Sequence, residues 1–332
     1  MTRKTFRKLL AAASVLLITL MALEVAVRMW GYSERHIYDP IYTSFDRTID
    51  IPYIHKPNLT EARARGLAVI NTDSLGLRAK RVGASYGLKR PNEYRIAIVG
   101  DSVTFGEGVP RTDDTFAQVL EDTLNQEAGR VVRVLNYGAS AYSVKQMAAS
   151  LEYRMADVQP DLVVLAMIPE DLNVLRTPGI DAVGYLVDRR VSFLRNSIAR
   201  DVLRPIRLVY VPREVVLSWF PSQDYGPSRS LELGEIPESY RYVKDFKAIA
   251  EKHRIPYVVV LLPKSKEKAW GPFQSRLKQD GVTYLDLSPL GREFAREEFV
   301  ASKFDSHPSA AVHHRIGKAL AEWVQRELRT SR

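Results

Sequence analysis

Two unbroken apolar runs, residues 162–168 and 256–262, constrain this chain more than any other feature. Both are short, rich in Val and followed by proline. Apolarity without alternation marks a strand buried on both faces, as in a parallel sheet covered by helices. Residues 95–99 read as a further strand ending in Gly100, and so do 131–135 and 283–287. Helical spacing fills the intervals, over 115–128, 144–155, 240–253 and 309–328, and another helix ends at 276–280. In the first helix Phe116, Val119, Leu120 and Leu124 share a face, with Asp113 or Asp114 as the cap. In the last, Ile316, Leu320 and Trp323 fall at core spacing. Such alternation predicts the α/β class: a three-layer α/β/α sandwich with a mostly parallel sheet. Ligands in these sheets sit at the carboxyl ends of the strands.

A different apolar run, residues 9–23, continues past Glu24 through Val25, Ala26, Val27, Met29 and Trp30. A bilayer core takes about 20 helical residues, so this segment is long enough to cross one. Arg3, Lys4, Arg7 and Lys8 precede it, which predicts a cytoplasmic N-terminus and an extracytoplasmic remainder, periplasmic beyond an inner membrane. Trp30 and Tyr32 suit the outer interface. No Ala-x-Ala site follows Leu23, so residues 1–30 read as a retained signal anchor rather than a cleaved signal peptide. Glu24 and Arg28 lie near the outer end, where both reach water at small cost.

The anchor also accounts for much of the charge. The chain carries 48 Lys+Arg against 39 Asp+Glu, a net +9. Residues 1–30 hold five of those bases and one acid, so +4 belongs to the anchor and +5 to everything else. No basic cluster with stacking aromatics and no reader motif is present, so no nucleic-acid partner is expected. The basic groups at 63–65 and Arg189-Arg190 read as solvated surface. The absence of cysteine excludes disulfides, thiolate-bound metal, a Cys nucleophile and a cysteine lipid anchor. None of the six histidines shows a metal-ligand spacing, so neither metal nor cofactor is expected. His313 and His314, inside the last helix, read as packing or surface residues. Between anchor and sheet, residues 31–91 read as a stalk and a lead-in that packs on the domain; 92–332 form that domain. An insertion at about 173–235 is a lid or a structural subdomain.

The chemistry gathers at strand ends. The first strand runs into Gly100-Asp101-Ser102-Val103-Thr104-Phe105-Gly106-Glu107-Gly108. A Ser after a buried strand, with glycines on either side, can stand exposed at the sheet edge or simply cap a turn. Asp305-Ser306-His307-Pro308 lies before the last helix, where an Asp two residues from a His can orient its ring. That His can take a proton from Ser102; the bland reading is a helix cap and a surface His.

Together these blocks resemble the SGNH (GDSL) hydrolases, over roughly residue 71 to the end of the last helix, in a membrane-anchored bacterial branch. Residues 98–109 look like the nucleophile block and 305–311 like the final block, with Asp-x-His spacing in place of the more frequent Asp-x-x-His. Asn71-Thr72-Asp73-Ser74-Leu75-Gly76-Leu77-Arg78 resembles a lead-in found in the anchored branch. The resemblance implies a flavodoxin-like sandwich and a serine esterase, with Ser102 as nucleophile, His307 as base and Asp305 as its orienting acid. It implies an ester substrate, foremost an O-acetyl group on an envelope polysaccharide. Two blocks depart from the pattern. In Asn136-Tyr137-Gly138-Ala139-Ser140-Ala141, Ala141 stands where a Gly usually offers its N–H to the oxyanion, and Gly138 belongs to the same block. In Pro169-Glu170-Asp171, Glu170 stands where the family has an Asn amide donor. A carboxylate cannot donate unless protonated, so Glu170 is protonated, or Asn173 replaces it, or it binds a substrate hydroxyl, or the site is weakened. Hence two alternatives to the esterase: a catalytically impaired glycan-binding or scaffold protein, and an O-acyltransferase using the same triad. Tyr137 and Tyr142 flank the second block as candidate walls of an acyl pocket.

Overall fold

The structure is a computed structural model that describes residues 2–31, 38–64, 68–126, 131–174, 179–187, 205–219, 234–265 and 270–330. In chain order the elements are α1 (Arg3–Trp30), β1 (Tyr42–Asp46), β2 (Ile51–His55), β3 (Ala62–Arg63), β4 (Val69–Thr72), β5 (Arg78–Ala79), β6 (Glu93–Val99), α2 (Ser102–Phe105), α3 (Phe116–Gln126) and β7 (Val131–Asn136). There follow α4 (Val144–Ser150), β8 (Leu162–Met167), β9 (Gly179–Ile180), β10 (Leu186–Val187), α5 (Arg207–Trp219), α6 (Arg241–Lys252) and β11 (Tyr257–Leu261). The rest is α7 (Gly271–Gln279), β12 (Tyr284–Asp286), α8 (Arg296–Phe299), β13 (Val300–Ser302), β14 (Asp305–Pro308) and α9 (Ala310–Thr330). Tyr32, Arg65, Arg189-Arg190 and much of the 173–235 insertion lie outside the described residues.

The five-stranded sheet has the order β12-β11-β8-β6-β7 and every pair in it is parallel. The continuous apolar runs are therefore explained by burial on two faces. In β8, Val163, Leu165 and Met167 face one core with β6 Ala97 and Val99, α4 Met147 and α6 Phe246. Val164 and Ala166 face the other, with Ile96, Ile98, α3 Phe116 and Leu120 and α9 Ile316 and Leu320. Each such buried side chain stabilises the fold by about 1.5–3 kcal/mol before entropy is counted. The three-layer sandwich is thus as expected. The chain goes from β6 to β7 on one side, then crosses to β8 on the other. The carboxyl end of β6 is the point where strand order reverses, which in such sheets is where ligands bind.

From the segment before the sheet, Tyr42, Ile51, Tyr53 and Ile70 join the first core. One cap differs. Asp113 and Asp114 fall in a 3-10 turn, Thr112–Asp114, and pair with Lys80, Arg111 and His314. Thr115, directly before the helix, accepts the Gln118 N–H at 3.4 Å instead. A cap must sit next to the first helical residue to reach the third, and the two aspartates come too early.

Two histidines are locked in the interior. His55 stacks on Phe105 with ring centroids 4.2 Å apart. His313 accepts the Phe116 N–H at 3.2 Å, a packing role as expected. Burial, aided by Arg154 and Arg78, pushes His55 down to about 3. Burial, aided by Arg78, His307 and His314, does the same for His313, also to about 3. The unfolded chain binds these protons near pH 6.5. Stability should therefore fall as pH drops from about 6.5 toward 3, by up to about 1.4 kcal/mol per pH unit for each histidine. Thermal melts between pH 7.5 and 5 should show it, with a shallower slope in His55→Phe. An unchanged slope in that variant would contradict the assignment.

Candidate active site

Ser102 opens α2, directly after the turn that ends β6. Asp101 caps this short helix, its Oδ1 accepting the Val103 N–H at 2.8 Å. The loop that follows is clamped from the lead-in. Buried Arg78 donates to the carbonyls of Gly106 at 2.7 Å and Val109 at 2.9 Å. Gly108 has φ +78, and a Cβ there would lie 2.7 Å from Ala301 and 3.1 Å from an Asp305 carboxylate oxygen. Glycine is what lets the β13–β14 hairpin close on the Ser102 loop.

That hairpin brings the sequence-distant partners in. His307 Nε2 stands 2.9 Å from Ser102 Oγ, and its Nδ1 stands 2.6 Å from Asp305 Oδ1. Asp305 Oδ1 also accepts the His307 N–H at 3.1 Å, which fixes the carboxylate beneath the ring. Ser102 and Asp305 are buried, and the His307 side chain remains 25% exposed, open on one side to a reactant. Burial by itself lowers the His307 pKa. The Asp305 hydrogen bond and the charges of Glu107, Asp305 and Asp101 outweigh it and hold the imidazole above its ordinary value.

Glu107 is a residue that sequence reasoning passed over, although it lies inside the Gly-x-Gly of the first block. It is 2% exposed, with Oε2 at 3.2 Å from His307 Nε2. Its Oε1 accepts a hydrogen bond from Ser140 Oγ. Glu107 thus bridges the histidine and the loop of the second block. The signal that could have found it is a carboxylate in a glycine-rich turn with no helix to cap.

The second block is a tight turn. Ala139 N–H donates to Gly100 O at 3.1 Å and Tyr142 N–H to Ala139 O at 3.1 Å, while Tyr53 OH holds Ser140 O at 2.6 Å. Ala141 sits at φ +63, the left-handed region, at a cost of about 1–2 kcal/mol for a residue with a Cβ. Gly138 plays a different part from the substrate-binding one expected. Its N–H donates to Asn136 Oδ1 at 2.9 Å, and a Cβ would lie 2.3 Å from Phe105 N. It serves close packing against α2. Tyr137 and Tyr142 are likewise corrected as pocket walls: both are buried in the first core, Tyr142 OH donating to Tyr53 O. Tyr at a strand end carries a large apolar ring, and here the lead-in covers it.

Glu170 lies in the turn Pro169–Leu172 that follows β8, and Asp171 closes that turn by accepting the Ile168 N–H at 2.9 Å. Glu170 is ion-paired with Lys264, which follows β11. None of the options weighed from sequence included this cation. Asn173 ends the same turn, its N–H donating to Glu170 O at 3.0 Å.

A proton acceptor, an orienting carboxylate and a buried hydroxyl in one row can carry out nucleophilic acyl transfer. The family comparison agrees in kind. The model of the GDSL-like lipase/acylhydrolase family matches residues 96–320, more than half of the chain. Among solved structures, a lipase/acylhydrolase from Enterococcus faecalis is 12% identical, with a TM-score of 0.41, 70% of this chain and 96% of that one covered. A member of the lipolytic G-D-S-L family from Veillonella parvula is 13% identical at a TM-score of 0.39, with 69% and 97% covered. A two-domain esterase active on acetylated mannans is 11% identical at a TM-score of 0.40; this chain covers 49% of it, about half its length, by 70% of its own. No curated protein matches. The family match takes in β6 from Ile96, the other four sheet strands, Ser102, Asp305 and His307: the chain belongs to the GDSL-like lipase/acylhydrolase family.

Proposed function

We propose that the chain is a membrane-anchored, extracytoplasmic serine esterase in which Ser102 is the nucleophile. Ser102 Oγ attacks the ester carbonyl carbon while its proton passes to His307 Nε2. The C–O bond to the alcohol then breaks, and His307 returns that proton to the leaving oxygen. Water, deprotonated by the same imidazole, attacks the acyl-Ser102 carbonyl and restores the enzyme. Asp305 holds the tautomer and stabilises the imidazolium. The N–H groups of Ser102 and Ala141 are the oxyanion donors. The single observation that carries this reading is the Ser102–His307–Asp305 row, at 2.9 and 2.6 Å, on the carboxyl end of the sheet.

The substrate proposed from the family resemblance is an O-acetyl ester of an envelope glycan; a sugar hydroxyl in place of water makes the same triad an O-acyltransferase. The catalytically impaired, glycan-binding alternative drew on Glu170 as a carboxylate in place of the family's amide donor, one whose charge would repel an oxyanion. Its pairing with Lys264 weighs for catalysis. The anchor reading draws support from α1, which has 28 residues, a mean hydropathy of 2.3 in its most apolar stretch and no residue buried against the domain. At 1.5 Å per residue it exceeds the roughly 30 Å hydrocarbon core.

Turnover of phenyl acetate by the full-length protein, compared with Ser102→Ala, tests the reading. A loss of at least about 10³-fold is expected, and equal rates would overturn it. A second expectation concerns Glu107. Its charge favours the imidazolium, so the acid limb of kcat/KM should lie above the ordinary imidazole range and move down in Glu107→Gln. Ser140→Ala, which frees the same carboxylate without discharging it, should leave the limb in place. A limb that does not move in Glu107→Gln would remove Glu107 from the site's electrostatics.

A further inference from the structure

Between Lys8 and Trp30 the sequence has two charged residues, Glu24 and Arg28. Both are committed to one partner, the start of α5. Glu24 Oε1 and Oε2 accept the N–H groups of Arg207 at 3.0 Å and Leu208 at 2.7 Å. Arg28 donates to Glu24 Oε1 at 2.8 Å and to Pro205 O at 2.8 Å. A carboxylate that answers the orphan N–H groups of a helix start satisfies both without water. This is the arrangement a polar contact needs where water is scarce. Glu24 lies about 9 Å along the helix axis before Trp30, at 1.5 Å per residue. At that level Ile206, directly before α5, and Val209 on it are 47% and 42% exposed.

A second contact lies at the end of α1. Trp30 meets Phe304 edge-on, with ring centroids 5.8 Å apart. Phe304 sits at the tip of the β13–β14 hairpin and immediately precedes Asp305. Exposed Lys303 places its ammonium 4.7 Å from the centre of the same ring.

We propose that the catalytic domain is seated on the bilayer surface. The first turn of α5 and the hairpin tip form one lipid-facing collar around the exit of α1. The occupant is lipid because the exposed Ile206 and Val209 continue the apolar surface of α1, whose two charges beyond Lys8, Glu24 and Arg28, are matched at the start of α5. Lys303 suits headgroup phosphates at the rim. The seat rests on reading α1 as a membrane anchor, and it puts the triad within reach of esters held at the membrane surface.

The cysteine-free chain makes the test clean. Nitroxide labels are placed singly at Ile18→Cys, Val209→Cys and Leu88→Cys in the full-length protein, reconstituted in phosphatidylcholine/phosphatidylglycerol vesicles. Leu88, 92% exposed, is the aqueous control. Collisions with oxygen should exceed those with a water-soluble nickel chelate several-fold at 18 and 209, with the reverse at 88. Adding Glu24→Leu should return the 209 label to nickel while the 18 label stays in lipid. A lipid-exposed 18 with a nickel-exposed 209 in the otherwise native chain overturns the seat and leaves the anchor standing. A nickel-exposed 18 overturns the anchor and the seat with it.

Discussion

His307→Ala is expected to lower kcat/KM for a phenyl ester by about 10⁴- to 10⁶-fold while leaving the fold intact. Without the imidazole, Ser102 Oγ has no acceptor for its proton, and the leaving alcohol has no donor. Glu107, 3.2 Å from the same ring nitrogen, is held by Ser140 and does not replace it. Asp305→Asn should cost about 10⁴-fold, because an amide can turn its NH₂ toward Nδ1 and select the wrong tautomer. The change is read from kcat, with far-UV circular dichroism and the melting temperature as controls. A loss below about tenfold in His307→Ala would show that the 2.9 Å contact with Ser102 is structural.

Lys264→Ala should lower kcat by about 10²- to 10³-fold, the size of one lost oxyanion donor. The effect is transmitted by Glu170, which stands where the family pattern has an amide. Its side chain is only 13% exposed and its charge is met by Lys264. By its place in the third block Glu170 is proposed to face the tetrahedral intermediate, and removing the cation then leaves that carboxylate unmatched beside the developing charge. Adding Glu170→Gln to Lys264→Ala should recover most of the loss, since a neutral amide repels nothing and can donate. Such recovery is the coupling expected of two residues acting as a pair. Independent, additive losses would place the ion pair away from the reacting carbonyl.

How much of this was legible beforehand follows from physical range. The sheet was readable because burial on two faces leaves a local mark, the unbroken runs at 162–168 and 256–262. Ser102 was readable because the turn after β6 carries glycines at 100, 106 and 108, and Asp305 and His307 because a carboxylate two residues from a His can orient its ring. Lys264 was not. It lies 94 positions from Glu170, and a Lys opening the charged run Lys264-Ser265-Lys266-Glu267-Lys268 looks like solvated surface. Glu107 was quoted within its motif yet unassigned, since only the fold shows that His307 and Ser140 approach it from two other elements. Tyr137 and Tyr142 misled because sequence does not reveal that β2 and its neighbours cover that strand end. Glu24 and Arg28 were read as reaching water, whereas the start of α5, distant in sequence, supplies their partners.

The most direct test of Ser102 as the nucleophile is covalent trapping. Full-length protein is incubated with a fluorophosphonate and mapped by peptide mass spectrometry. A single adduct on Ser102 is predicted, absent in Ser102→Ala and formed far more slowly in His307→Ala. Equal labelling of Ser102→Ala, or a folded native protein that stays unlabelled, would contradict the account.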